Sequence, residues 1–424
     1  MNRALTGLVM CMLALCSGPA LAEGLPRADP ESVGLSSERL QRIDAAIARD
    51  LAEGRKVGAV VAVARHGKLA YLKAFGLANR EREVPMRTDS MFRLYSETKP
   101  LVSVGLLMLY EEGRFSLSDP LEMYIPAFAG LRVFDRVEGG RTVTRAPARK
   151  PTIHDLFRHT TGFAGEIMAL YDGPVEQQLM ALPPPASLQQ WVDRMAAVPL
   201  AYEPGAEWRY GPEHDIQAYL IEMFSGMPVD RFLRTRLFEP LGMTETFYAV
   251  PPSFASRYTA MYELDGKGGA KLTDAGSDGP YASGARAFAR GSTGLSSTAQ
   301  DQLRFGQMLL GGGQLGGVRI LSRKTVELML SDQLPKEIGG VSFGPGTDFF
   351  PGYRYGLGIA VVGDVARSAM PGSVGAANWA GFANTDLFID PAEDMLILVW
   401  TQSRPGDYPW MYRMRTLAYQ ALAD

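Results

Sequence analysis

Apolar and polar positions alternate along the chain with three different periods, and each period predicts a different element. Ser36-Ser37-Glu38 offers a helix N-cap, and Leu40, Ile43, Ile47 and Leu51 fall on one stripe at helical spacing, which predicts an amphipathic helix. Residues 58–64 and 69–75 are apolar runs on either side of His66-Gly67-Lys68, the pattern of a β-hairpin with His66 as an exposed turn residue. Residues 80–86 are polar and read as a loop. Then Leu101, Val102, Val104, Leu106, Leu107, Met108 and Leu109 make a helix apolar nearly all round, stopped at Gly113. Such a helix is buried in the core of a large domain.

From residue 117 to about 289 the pattern changes to short helices and loops, with few strand signals. Helices are predicted over 152–159, 188–197 with Trp191 packed, 215–224 closed by Ser225-Gly226, and 228–238. Residues 130–150, 163–186 and 266–284 read as loops, the last as a long Gly- and Asp-rich surface loop. Helices return at 298–310 and 322–330, strands at 355–362, 384–389 and 395–401, and a terminal helix at 408–422. The expected organisation is an α/β unit built from both chain ends, residues 23–95 and 290–424. A mostly helical domain, 96–289, is inserted between them and begins with the apolar helix.

Composition narrows the function. A chain of 424 residues with 46% hydrophobic content can bury a large core. Its formal net charge is −3 and no Lys/Arg run stands out, so nucleic acid is not an expected partner. Residues 1–22 have the three parts of a secretory signal: Arg3, an apolar stretch over 4–15, and Ala20-Leu21-Ala22 before Glu23. Cys16 invites a lipoprotein reading, but the large Leu15 before it favours cleavage after Ala22. Cys11 and Cys16 are the two cysteines of the chain, so the mature protein is expected to carry no disulfide and no thiol chemistry. The expected location is periplasmic or secreted, with no stable membrane insertion after cleavage.

Candidate chemistry centres on Ser96-Glu97-Thr98-Lys99 at the start of the apolar helix. Residues i and i+3 share a helix face, so the lysine amine can lie beside the serine hydroxyl. Serine needs a neighbouring base to act as a nucleophile, and burial favours the neutral, basic form of a lysine. Free N–H groups at a helix start favour an oxyanion. The four histidines, His66, His154, His159 and His214, form no metal-binding spacing, and no Gly-x-Ser-x-Gly elbow is present. Gly311 to Gly316 matches Gly-x-Gly-x-x-Gly but follows a predicted helix rather than a strand, so it reads as a plain turn. A serine enzyme here needs a base other than histidine, which returns the argument to Lys99.

Six segments occur in a telling order: Ser96-Glu-Thr-Lys99, Leu156-Phe-Arg-His-Thr-Thr-Gly162, Trp208-Arg-Tyr210-Gly, Phe238-Glu-Pro-Leu-Gly-Met243, Gly294-Leu-Ser-Ser-Thr-Ala-Gln-Asp301 and Trp379-Ala-Gly381. From about residue 32 to 401 the chain resembles the serine β-lactamase and penicillin-binding-protein superfamily, most of all the family VIII carboxylesterases of its class C-like branch. The resemblance implies an α/β (α+β sandwich) fold, with an antiparallel sheet flanked by helices. It implies Tyr210 as a second base beside Ser96 and Lys99, and the N–H groups of Ser96 and Phe382 as the oxyanion hole. Trp379 and Gly381 are then substrate-binding: the glycine lets substrate approach the strand, and Trp379 offers an apolar wall where β-lactamases have a lysine. That difference favours neutral esters over carboxylated β-lactams. Pro212 stands where the family's amide-binding Asn is usual. His154, His159, His214 and Asp215 are expected to be structural, while Arg93 and Glu97 flank the nucleophile without a legible role. The expectation is an exported serine hydrolase of short-chain carboxylic esters, acting on a small molecule without cofactor or metal. The alternatives are a β-lactamase or D-amino-acid peptidase of the same fold, and a penicillin-binding sensor that does not turn over. A transacylase is not separable from these by sequence.

Overall fold

A strand that is buried at every position needs cover on both faces. Strand β1 (Gly58–Arg65) has it, in a computed structural model that describes residues 24–165, 170–276, 288–343 and 350–424. The segment read as a signal, with Cys11 and Cys16, lies outside the described residues, as do parts of the loops expected at 163–186 and 266–284. On β1, Val60, Ala62 and Ala64 point into one core with Leu101, Leu303 and Leu396. Ala59, Val61 and Val63 point into a second, with Ile43, Ile47, Met414 and Ala418.

The other strands of this sheet are β2 (Lys68–Asn79), β3 (Val84–Pro85), β4 (Tyr353–Tyr355), β5 (Ala360–Val362), β6 (Ala377–Asn378), β7 (Thr385–Asp390) and β8 (Met395–Trp400). They run in the order β4-β5-β6-β7-β8-β1-β2-β3, antiparallel throughout. The two chain ends meet at the centre, where Val60 pairs with Trp400 and Arg65 with Met395. Helices Ser37–Ala52 and Tyr408–Tyr419 cover one face, and Ala299–Leu310 covers the other. The fold is therefore the antiparallel, helix-flanked α/β arrangement expected. Among the described residues, no helix is long and apolar enough to cross a membrane.

Four expectations change, the first being that the 163–186 loop contains a helix, Pro174–Ala181, opened by Pro174 in its first turn. Residues 355–362 are not one strand: β4 and β5 form a hairpin turned through Gly356-Leu357-Gly358-Ile359, where Gly358 has φ +83° and an added Cβ would meet Ser103 Oγ at 1.9 Å. The 130–150 loop contains a hairpin, Val133–Glu138 with Arg141–Arg145, turned at Gly139-Gly140. Within 266–284, Ala270–Asp274 is a strand paired with Met261–Leu264. In the last two cases charged residues occupy the exposed face of a short ribbon, so the apolar alternation is too weak to register.

Candidate active site

The nucleophile turn hangs between two strands and a helix. Phe92 pairs with Ser297 and Arg93 with Ser296, so the Gly294-to-Asp301 motif serves as the rail on which the turn is mounted. Leu94 N–H donates to Leu295 O (2.9 Å), and Leu295 N–H donates to Thr98 Oγ1 (3.3 Å). Ser96 lies in a tight 3-10 turn, Tyr95–Glu97, which runs into the helix Thr98–Glu111. Tyr95 takes φ +48°, a conformation rarely adopted by bulky residues, and its ring meets the edge of Phe382 at 5.8 Å. Outliers of this kind persist where the surroundings over-determine them, commonly at active sites.

Three side chains converge there. Ser96 Oγ lies 2.7 Å from Tyr210 Oη and 3.3 Å from Lys99 Nζ. The lysine is 2% exposed. Its amine donates to the Ser292 carbonyl at 2.7 Å and sits 4.6 Å from the Tyr210 ring centre. Tyr210 belongs to an otherwise separate part of the chain, just before the helix Glu213–Ser225. Its main-chain N–H donates to Tyr171 Oη (2.8 Å), and burial raises the Tyr171 phenol, which stays neutral. His159 Nδ1 contacts Glu213 Oε2 (2.7 Å) and Thr161 Oγ1 donates to Glu213 Oε1 (2.7 Å). These bonds tie the His-Thr-Thr-Gly turn to the helix start beneath Tyr210. Tyr171 and Glu213 carried no sequence signal, because their partners are remote in the chain.

On the opposite side, Gly381 N–H donates to Thr385 O (2.7 Å). A Cβ on Gly381 would meet Leu94 O and Thr385 Oγ1, each at 2.2 Å. The glycine is therefore required by the close approach of the nucleophile turn. Among the described residues, neither Ser96 N–H nor Phe382 N–H donates to a protein acceptor. The Phe382 side chain is 54% exposed. This constellation can activate a hydroxyl with two basic groups and offer main-chain donors to an oxyanion.

A family model described as beta-lactamase matches residues 43–419. The chain belongs to the beta-lactamase family. It is 32% identical to Protein Rv1367c of Mycobacterium tuberculosis (strain ATCC 25618 / H37Rv), covering 82% of this chain and 86% of that one. It is 30% identical to Esterase EstB of Burkholderia gladioli, covering 88% and 93%. Among solved structures, "EstCE1, a hydrolase with promiscuous acyltransferase activity" superposes with a TM-score of 0.73 at 24% identity, covering 90% of this chain and 98% of that one.

In this beta-lactamase-family protein Trp379 does not form an open wall. It is 3% exposed, stacked under Phe350 (5.6 Å, 9°) and packed on Tyr210 (5.4 Å) and Tyr355 (5.4 Å). A flat ring between two other rings buries its faces against them, so Trp379 braces Tyr210 instead of lining an open site. A cavity of about 820 Å³ adjoins this layer, bounded by Tyr171, Trp208, Arg209, Val341 and Phe350. Pro212 caps the helix that follows Tyr210, its carbonyl accepting from Asp215 N–H (2.9 Å).

The flanking residues gain roles. Arg93 is fully buried, donates to Thr259 O (2.7 Å) and pairs with Asp274 (2.9 Å), on the strand that had read as surface loop. Glu97 is buried beside Thr385 and Trp400, and burial pushes its carboxyl well above the usual range. Burial holds His214 neutral, and neither of its ring nitrogens has a hydrogen-bond partner among the described residues. His154 meets Gln333 Oε1 at 2.9 Å, and His66 is an exposed turn residue beside Asp394.

Proposed function

We propose that this beta-lactamase-fold hydrolase cleaves short-chain carboxylic esters through an acyl-enzyme on Ser96. The observation that carries the reading is the Ser96 hydroxyl held between Tyr210 (2.7 Å) and Lys99 (3.3 Å). Ser96 Oγ attacks the ester carbonyl and gives its proton to Lys99 or Tyr210. The N–H groups of Ser96 and Phe382 receive the oxyanion. Collapse expels the alcohol, protonated by the same pair, and water repeats the sequence to release the acid. Tyr210 Oη and Lys99 Nζ both lie against Ser96 Oγ, which suits the pair to relay protons in both halves. The preference for esters rests on the missing cation at position 379, where Trp379 replaces the usual lysine and leaves a substrate carboxylate without a partner, and on the similarity to Esterase EstB. Export through residues 1–22 belongs to the same reading.

Turnover of p-nitrophenyl butyrate and of a chromogenic cephalosporin by the purified protein, with Ser96→Ala as control, tests it. The expected result is fast ester cleavage, little β-lactam opening and loss of both in the variant. Ester hydrolysis by Ser96→Ala within a few-fold of wild type would remove Ser96 from the mechanism. Rapid cephalosporin opening with slow ester cleavage would make the protein a β-lactamase or peptidase. Adding a primary alcohol during ester turnover separates transfer to water from transfer to an acceptor. Sequencing the N-terminus of exported protein, expected at Glu23, checks the signal.

A further inference from the structure

The Lys99 amine is held by a carbonyl that is itself held elsewhere. Its acceptor, Ser292 O, lies 2.7 Å away in the short segment Arg290-Gly291-Ser292, which returns the chain from the helical region to the sheet. Main-chain carbonyls in such connections shift easily unless something pins them. Here the pin is the Asp215 carboxylate. It is fully buried and accepts from Ser292 N–H (3.1 Å), Ser292 Oγ (2.8 Å), Arg290 Nη2 (2.6 Å) and Arg290 Nε (3.3 Å). One carboxylate thus grips the residues on both sides of Gly291. The approach is tight, since a Cβ on Gly291 would meet His214 O at 1.7 Å.

Asp215 also occupies the first turn of the helix Glu213–Ser225, where a negative charge is favoured by the helix dipole. Burial opposes its ionised form, but Arg290 and Ser292 outweigh burial and hold the carboxyl below its ordinary range. Tyr210 lies just before that same helix. A single helix start therefore presents the phenol to Ser96 directly and fixes the lysine's acceptor indirectly. Both basic groups are referenced to one rigid element, as precise positioning requires.

We infer that Asp215 is a positioning residue for catalysis, which sets the Lys99 amine against Ser96 through the Ser292 carbonyl and locks that placement to the helix start that follows Tyr210. The inference rests on the Ser96–Lys99 acyl-enzyme reading and assigns work to a residue that sequence marked as structural.

The test compares Asp215→Asn and Ser292→Ala with wild type in the full chain, using p-nitrophenyl butyrate. Active sites are titrated with a fluorophosphonate, so that kcat is expressed per reactive serine and a misfolded fraction does not count. Asp215→Asn should lower kcat about 10²-fold, the scale expected when a catalytic group is displaced by about 1 Å. Ser292→Ala removes one of the two bonds from Ser292 to Asp215 and leaves the Arg290 pair, so kcat should fall about tenfold. In both, KM should stay within about twofold, because substrate contacts are untouched. Either variant, folded, keeping kcat within about threefold overturns the inference, as does a loss confined to KM. If Asp215→Asn does not fold, Ser292→Ala decides by the same criterion. Ser96→Ala and Lys99→Ala run alongside: activity surviving in these would overturn the reading of the site itself, whereas their inactivity with active Asp215 and Ser292 variants would overturn this inference alone.

Discussion

At the nucleophile turn, Tyr95 holds a backbone conformation that glycine adopts freely, and Gly381 fills a space where no side chain fits. The two are linked, because Gly381 is the residue against which Leu94 O is pressed. The Ser96–Lys99 pairing was legible because three residues on a helix is a local geometry. The Tyr95 conformation was not, since a tyrosine gives no signal for it. Gly381→Ala should lower kcat per mole of protein by about 10²-fold or more and lower Tm, because the clash is with main chain and no rotamer relieves it. Phe382 offers a sharper test. Phe382→Ala keeps the N–H and should leave kcat within about fivefold, whereas Phe382→Pro deletes the donor and should cost about 10²- to 10³-fold. Equal kcat in the two variants would exclude the Phe382 N–H from the oxyanion hole.

Among the elements, the short helix Ile153–Phe157 shows how local chemistry fixes a boundary that the site depends on. Thr152 and Asp155 form a reciprocal capping box, and the turn that follows carries His159. Burial pushes the Asp155 carboxyl up, but bonds from Arg149, Thr152 and Thr160 outweigh it and hold the carboxyl at about 2, against an ordinary 3.8. The folded-state value is below the unfolded one, so the stabilisation is complete above pH 3.8 and is lost as pH falls towards 2. The shift corresponds to roughly 2 kcal/mol. Asp155→Asn should therefore lose about that much in urea unfolding at pH 7 and about half as much at pH 3. A deficit that does not change with pH would show that shape, not charge, stabilises the cap. The helix was legible from Thr152 onward because capping is a contact between neighbours in sequence. The hairpins at 133–145 and 261–274 were not, because their exposed faces carry charges and what defines them is cross-strand pairing.

For the whole molecule, the decisive fact is that β8 lies between β1 and β7, so the last strand of this sheet in chain order completes its centre. The core that Val60 enters also holds Trp191, Ile221 and Leu396, and thus runs without a break from the sheet into the helical region. The C-terminal residues are bound in as well, with Leu422 bridging to Leu35 and Asp424 pairing with Arg65 at 2.8 Å. Such a molecule should unfold as one unit. Calorimetry is expected to show a single transition, and a chain ended at Asp394 should be without native structure instead of losing only a terminal flap. Two resolved transitions, or a folded truncated chain, would show that the helical region is stable alone.

By itself the sequence determined what depends on neighbours: the caps, the apolar stripes, the Ser96–Lys99 spacing, and the order of motifs that marks the beta-lactamase family. Period and capping are written in short windows, and a motif order survives when its residues diverge. The family resemblance pointed to Tyr210 beside Ser96, and the fold brings the two together across 114 positions of chain, whereas tertiary structure alone decided that Trp379 turns inward to brace that tyrosine. It alone decided that Asp215 reaches Lys99 through a carbonyl 77 residues further on. Those placements come from packing one surface against another, and no pattern within a single segment records which surface that will be.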